Sequence, residues 1–275
     1  MNADAWPAWR TLDAWQQDAE RIVSGEAATL PDVAEVVAGE CGLCGSRLGF
    51  RNAAAGADLR ERLHCLHCAC NSRQRAAGMA LRAAVAEARS ARVYATEQAS
   101  PFFIALRGRF PRSRGSEFVS GLEKRLRLSL WLLRQGAPGW VHRQDITALS
   151  FADASLDAVV SLDVLEHVPD YDKALREFAR VLRPGAILVL TVPFHERHRD
   201  SRVIARLRDD GGIDHVGEPE FHGDPLSGGV LCFHHFGWGL IERLRAAGFS
   251  DADACRVHDP ARGLPQGQWV LRARR

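Results

Sequence analysis

Residues 156–194 carry the pattern that most constrains the fold of this chain. Asp157–Leu162 is a short apolar run, the length of one buried strand, and a polar loop with Asp163, Glu166 and His167 follows. Ala174, Leu175, Phe178, Val181 and Leu182 then recur at helical spacing. Arg180 and Arg183 fall in the last turn, where cations suit the helix dipole, and Pro184-Gly185 is expected to stop the helix. Ala186–Val192 is a second unbroken apolar run. Strand, crossover helix and strand make a parallel βαβ unit, and such sheets are covered on both faces. Ligands of these sheets sit beyond the carboxyl ends of the strands. Here those ends carry Asp163, Glu166, His167, Phe194 and His195.

The run D-V-L-E-H-V-P-D, followed by a helix, R-P-G and an apolar strand, resembles the second half of the class I S-adenosylmethionine-dependent methyltransferase domain, of the methyltransferase type 11 kind. The resemblance extends over about Ala91 to Arg275. It implies an α/β fold with a doubly wound, mostly parallel, seven-stranded Rossmann-like sheet. It also implies S-adenosyl-L-methionine as cofactor, bound across the ends of the first four strands.

Arg92–Thr96 reads as the first strand of that sheet, and Glu97 matches the family's acid that faces the cofactor's ammonium group. Ala99 and Pro101 stand where the family has glycines, which is the clearest departure from its pattern. Ser100 and Pro101 still make a good N-cap and first helical residue. Gly115–Val119 is the expected second strand. Its Glu117 lies about 20 residues beyond the first turn, the spacing at which an acid meets a ribose diol. Leu122–Arg134 reads as an amphipathic helix or a partly ordered cover. Val141–Ile146 is the expected third strand, where Asp145 matches the family's acid for the adenine amino group and Ile146 lies beside it. Leu162 and Asp163 close the cofactor edge at the fourth strand. Helical apolar spacing after Phe236, then Ala252–Val257 and Gln268–Leu271, supply the last helix and a closing hairpin-like strand pair.

The sharpest local signal lies nearer the N-terminus. Cys41-x-x-Cys44 and Cys65-x-x-Cys68 are paired knuckles, and four thiolates at this spacing match the tetrahedral site that zinc prefers. A module over residues 41–75 is too small to bury much core, so its metal would supply most of its folding energy. Four protein ligands leave no open position, so the expected zinc is structural; iron, or cysteines that bind nothing, are the alternatives. His64, His67 and Cys70 are spare donors. Arg60, Arg62, Arg73 and Arg75 flank the site as a possible anion grip or a solvated face. Residues 1–40 read as a helical segment with Trp6, Trp9, Leu12 and Trp15 on one face from near Pro7, interrupted at Gly25, Pro31 and Gly39. Residues 76–90 read as a linking helix, and 91–275 as the main domain.

No apolar run approaches the roughly 20 residues of a membrane span, and the first residues show no secretory signal pattern. The expected location is the cytoplasm, where the seven cysteines favour metal over disulfides. The net charge of +2 is weak support for nucleic acid as a partner.

Residues 195–229 form a polar insertion after the fifth strand, at the place where the family builds its acceptor pocket. His222, between Glu220 and Asp224, is the first candidate for a general base, ahead of His195 and His167, and the cluster also suits a divalent cation. The expected activity is O-methylation of a small molecule, sugar or glycan. An RNA base methyltransferase is the alternative, though neither an N-P-P-Y-like tetrapeptide nor a Pro-Cys nucleophile is present. A non-catalytic binding module on the same fold is the third reading. Oligomeric state is not encoded in any motif.

Overall fold

The computed structural model describes residues 6–28, 30, 36–52, 58–85, 88–223 and 229–275. Pro31, Asp224 and Pro225, and part of the expected linking helix at Ala86 and Glu87, lie outside the described residues. One sheet is built from β1 (Ala8–Trp9), β2 (Val93–Ala95), β3 (Arg114–Gly115), β4 (Leu156–Leu162), β5 (Leu182–Thr191), β6 (Asp251–Asp259) and β7 (Leu264–Arg274). Its order is β1-β6-β7-β5-β4-β2-β3. The run β3-β2-β4-β5 is parallel throughout. Strand β7 enters antiparallel beside β5, β6 antiparallel beside β7, and β1 antiparallel beside β6. Strand β6 therefore points the same way as the parallel four. The mostly parallel seven-stranded sheet is as expected.

Its seventh strand is not the expected one. Val141–Ile146 forms no strand, and only an isolated parallel bridge joins Arg143 to Glu117. The reason is polarity: Val141 is buried, but His142 and Arg143 are exposed. A strand inside a parallel sheet needs a run that is buried on both faces. The opposite edge is instead completed by Ala8–Trp9. The expected helix from Pro7 accordingly begins later, as α1 (Leu12–Ala27), with Thr11 as its N-cap. Trp9 and Trp15 meet at 4.8 Å between ring centroids, and Trp15 meets Trp269 of β7 at 4.9 Å. Pro184-Gly185 falls inside β5 rather than ending a helix, which stops at Val181. The register between β4 and β5 shifts there, and Gly185 takes a φ of +79° that L side chains rarely adopt.

The alternation of β5 splits the core between the two faces. Leu188 and Leu190 pack with α1, α6 (Tyr171–Val181) and α7 (Gly239–Ala246). Ile187 and Val189 pack with α3 (Ser72–Ala84), α4 (Pro101–Arg109) and the cysteine knuckle. The expected linking helix over 76–90 is therefore α3. It begins earlier, at a capping box between Asn71 and Gln74, and lies on the sheet. The knuckle adds a three-stranded ribbon of Val36–Val37, Phe50–Asn52 and Leu63–Cys65 and a short helix, α2 (Leu59–Arg62). It shares its apolar cluster with the sheet rather than standing apart. The insertion after β5 is not a plain loop. Among the described residues it holds three small antiparallel pairings and continues to His235, which pairs with Arg202. No helix among the described residues is long and apolar enough to cross a membrane.

Arg75 joins the knuckle to the sheet. Its side chain is fully buried, and its guanidinium donates to the carbonyls of Leu63 and Cys70 at 2.7 Å and of Gly263 at 2.6 Å. It also lies 4.5 Å from the Phe50 ring centre. Gly263 closes the arrangement, since a Cβ there would come within 2.3 Å of the Phe50 ring. Each buried carbonyl left without a donor costs about 1–3 kcal/mol. Arg75→Ala is therefore expected to lower stability by roughly 3–5 kcal/mol in urea unfolding. Sheet and knuckle should unfold in one transition.

Candidate functional site

The carboxyl ends of β2, β3 and β4 bring three acids together, Glu97, Glu117 and Asp163. Asp163 ends β4 with a φ of +49°, which a non-glycine residue holds only when its surroundings demand it. Its carboxylate accepts two bonds from Arg60 Nη2, at 2.9 and 3.0 Å, and one from the Thr191 hydroxyl at 2.8 Å. Arg73 Nε lies 3.2 Å away. Burial pushes the Asp163 carboxyl up, but Arg73, Arg60 and the Thr191 bond outweigh it and hold the group below its ordinary value. Arg60 and Arg73 thus cap the end of β4 rather than standing open to an anion, whereas Arg75 holds backbone carbonyls and Arg62 is exposed.

Glu97 follows β2. Its Oε1 is buried and has no hydrogen-bond partner. Burial pushes the carboxyl up to about 7, while Ser100 and the Arg73 charge act the other way and Glu117 and Asp163 reinforce the rise. A buried carboxylate oxygen of this kind fits a cationic group, as the cofactor's ammonium would be. Glu117 is engaged otherwise than the spacing implied. Its Oε1 accepts the backbone N–H groups of Gln98 and Ala99, both at 2.7 Å, and so shapes the turn where glycines were expected. Pro101 starts α4, with Ser100 as N-cap accepting from Phe103 N at 3.1 Å.

Asp145 stands apart from these acids and accepts the Thr147 N–H at 2.8 Å and the Thr147 hydroxyl at 2.7 Å. Ile146 and Leu162 are buried in the clusters on opposite faces of the sheet. A cleft of about 960 Å³ opens beside Tyr94, Gln98, Gly115, Trp140, Gln144 and Phe151. It borders the Glu117-held turn, whereas Glu97 and Asp163 lie under the arginine cap.

A second cluster adjoins Asp163. Glu166 is fully buried, with neither carboxylate oxygen in hydrogen-bond range of a donor. Burial raises its pKa, and His222 opposes the rise. His222 Nδ1 lies 3.6 Å from Glu166 Oε1, and its Nε2 lies 3.0 Å from Glu220 Oε1. Glu166 raises the His222 pKa against burial, and Glu220 adds to the effect. His167 Nδ1 meets the Leu231 carbonyl at 2.9 Å. His235 Nε2 meets the other Glu220 oxygen at 2.6 Å, and the His195 ring lies 4.8 Å from that of His235. Burial lowers the His195 pKa, with His235 and His198 adding to the effect. His222, His167 and His195 are thus gathered in one region. Glu166, Cys232 and His235 belong to it as well. The run Cys232-Phe-His-His was the sequence signal for the last two.

The four knuckle cysteines form one cluster. Cys41 Sγ and Cys68 Sγ are 3.9 Å apart, and Cys44 Sγ and Cys65 Sγ are 3.8 Å apart. Tetrahedral zinc with Zn–S bonds of about 2.3 Å sets sulfurs about 3.8 Å apart. The donor set therefore fits zinc in both chemistry and spacing.

Comparison with known proteins adds a family to this geometry. Residues 75–190 match the family described as "Methyltransferase domain". An arsenite methyltransferase of Aquipseudomonas alcaligenes is 33% identical over 109 residues, 39% of this chain and 26% of that protein. A Mycobacterium tuberculosis protein named a probable S-adenosylmethionine-dependent methyltransferase is 31% identical over 102 residues, 31% of this chain and 37% of that protein. The chain thus spans 26% and 37% of the length of these two relatives. Among solved structures, a Burkholderia thailandensis 1,6-didemethyltoxoflavin-N1-methyltransferase with bound S-adenosylhomocysteine aligns with a TM-score of 0.46 at 21% identity, covering 74% of this chain and 78% of that one. Over residues 75–190, from α3 into β5, this chain carries a methyltransferase domain.

Proposed function

We propose that the protein transfers a methyl group from S-adenosylmethionine to an oxygen of a small molecule, sugar or glycan. The observation that carries this reading is the unpartnered, buried oxygen of Glu97 at the carboxyl edge of a methyltransferase domain. Glu97 would hold the cofactor's ammonium. The adenosyl end would occupy the cleft beside Gln98 and Gln144, whose volume suits a ligand of that size. Glu117 would shape the intervening turn, with Asp145 at its far side. The bound cofactor supplies an already activated methyl group, so the chain's task is alignment and exclusion of water.

A hydroxyl acceptor also needs a base. His195 is the favoured one of the three histidines. His222 has a carboxylate facing each ring nitrogen, and His167 meets the Leu231 carbonyl. His195 instead has its ring held neutral by burial and by its histidine neighbours, so it is free to take a proton at neutral pH. The knuckle would hold a structural zinc.

Three variants test these assignments. A carboxyl whose folded pKa exceeds its unfolded one keeps its proton longer in the folded chain. Glu97 therefore lowers stability as pH rises from about 4.5 towards about 7. Between pH 5 and pH 8 the cofactor-free chain should lose up to about 3 kcal/mol more than Glu97→Gln does, read by urea unfolding. In calorimetry the same variant should bind S-adenosylhomocysteine at least about tenfold more weakly. Equal affinity would place the ammonium elsewhere. No binding to either protein would favour the non-catalytic reading.

For the base, His195→Ala should cut turnover about 10²–10⁴-fold, in a labelled-methyl screen of hydroxylated acceptors, with cofactor affinity unchanged. An RNA acceptor in that screen would overturn the small-molecule reading. For the knuckle, Cys65→Ser should lose its zinc by elemental analysis. It should also lower the melting temperature of the whole sheet, because knuckle and sheet share one apolar cluster.

A further inference from the structure

We infer that His167, His222 and Cys232, with Glu166, form a second metal site, separate from the four-cysteine knuckle, which takes a divalent transition ion of the zinc class. Ligand atoms of His167, His222 and Cys232 all lie within 4.8 Å of one another. Cys232 is buried, and the two histidines are partly buried. The proposal does not depend on methyl transfer.

Glu166 is the second and independent observation. Its side chain is 0% exposed, and both its oxygens lack a hydrogen-bond partner. Its nearest donors, His222 Nδ1 at 3.6 Å and His167 Nε2 at 3.9 Å, are too far to satisfy it. A carboxylate buried without partners is costly. A cation among these atoms removes the cost. Tetrahedral zinc with bonds of about 2.0–2.1 Å to nitrogen and oxygen sets those atoms about 3.3 Å apart. The gaps around Glu166 therefore close by only a few tenths of an ångström when an ion enters.

The surrounding groups match what metal-bound histidines require. A ligating histidine turns its other nitrogen to a carbonyl or a carboxylate, which fixes the ring and the tautomer. Here His167 Nδ1 meets the Leu231 carbonyl at 2.9 Å, leaving Nε2 towards Glu166. His222 Nε2 meets Glu220 Oε1 at 3.0 Å, leaving Nδ1 towards Glu166 Oε1. Glu220 is held in turn by His235 Nε2 at 2.6 Å. The strand pair Phe221–His222 and Val230–Leu231 keeps His222 beside Cys232, and the Phe233 N–H bonds the Glu166 carbonyl at 2.7 Å. Two nitrogens, one sulfur and one carboxylate oxygen suit zinc and exclude a magnesium or calcium preference, since those ions take oxygen ligands.

The test uses the full chain without an affinity tag, loaded with zinc and then desalted, with metal content measured against protein. The wild type is expected to hold one more zinc ion per chain than His222→Ala or Cys232→Ser, and Cys65→Ser should lose the knuckle's ion while keeping the second. Cobalt replaces zinc as a spectroscopic probe. His222→Ala should remove the absorption of a site with nitrogen and a single thiolate, while the four-thiolate signature persists. The far-ultraviolet spectrum of each variant checks that it has folded. If Cys232→Ser misfolds, His167→Gln carries the comparison. Equal zinc in wild type and His222→Ala, with both folded, overturns the proposal. Zinc lost only through Cys65→Ser overturns it too, and leaves the knuckle assignment standing.

Discussion

The end of β4 is where this structure meets its strongest constraint. Asp163 holds a left-handed backbone conformation, and a non-glycine residue pays roughly 1–3 kcal/mol for such a geometry. Thr191 of β5, Arg60 of α2 and Arg73 of α3 all converge on its carboxylate. One carboxylate therefore joins the parallel sheet, the crossover geometry and the cysteine knuckle. Breaking a compensated buried pair by removing one partner costs more than the pair contributes in isolation. The knuckle is tied to the sheet by this cluster on one side and by Arg75 on the other.

Around this point three carboxyls differ in state because their neighbours differ. Asp163 has two guanidiniums and stays ionised. Glu97, with an unsatisfied oxygen, is pushed up to about 7. Glu166 is also raised, and faces histidines that stop short of hydrogen-bond range. The same functional group thus forms an internal clamp at Asp163, carries an unsatisfied buried oxygen at Glu97 and is buried without partners at Glu166, within one edge of the sheet. Environments that push neighbouring acids apart are a recurring mark of functional sites.

The opposite edge is settled by packing. The indoles of Trp9, Trp15 and Trp238 meet edge to face in a chain through Trp269, and Phe194 packs on Trp238 and Trp269. Phe194 and Trp238 flank the insertion, so the cover over the sheet's end is anchored at both roots in the same aromatic group. Such pairs contribute about 0.5–1.5 kcal/mol each beyond the area they bury. The buried ion pair of Arg256 with Glu26 at 2.5 Å joins the end of α1 to β6 beside this group.

What the sequence by itself determined is what depends on local period and spacing. The βαβ unit from Leu156 to Thr191 was legible because one helical face and two unbroken apolar runs leave few other solutions. The paired C-x-x-C knuckles were legible because the two-residue spacer itself brings the sulfurs together. Helix α4 was legible in Ser100-Pro101. Tertiary structure decided what long-range contact fixes. Val141–Ile146 failed as a strand because its neighbours left it half exposed, and Ala8–Trp9 took an edge that no local pattern marks. Glu117 was claimed by the N–H groups of Gln98 and Ala99, and Arg60 and Arg73 by an acid some 100 and 90 residues away. His222 and Cys232, which lie 56 and 66 residues beyond Glu166, come into its neighbourhood only when the insertion folds back over β4. A residue's type sets what it can bind. Which partner reaches it first, and whether water is excluded, is decided by the fold.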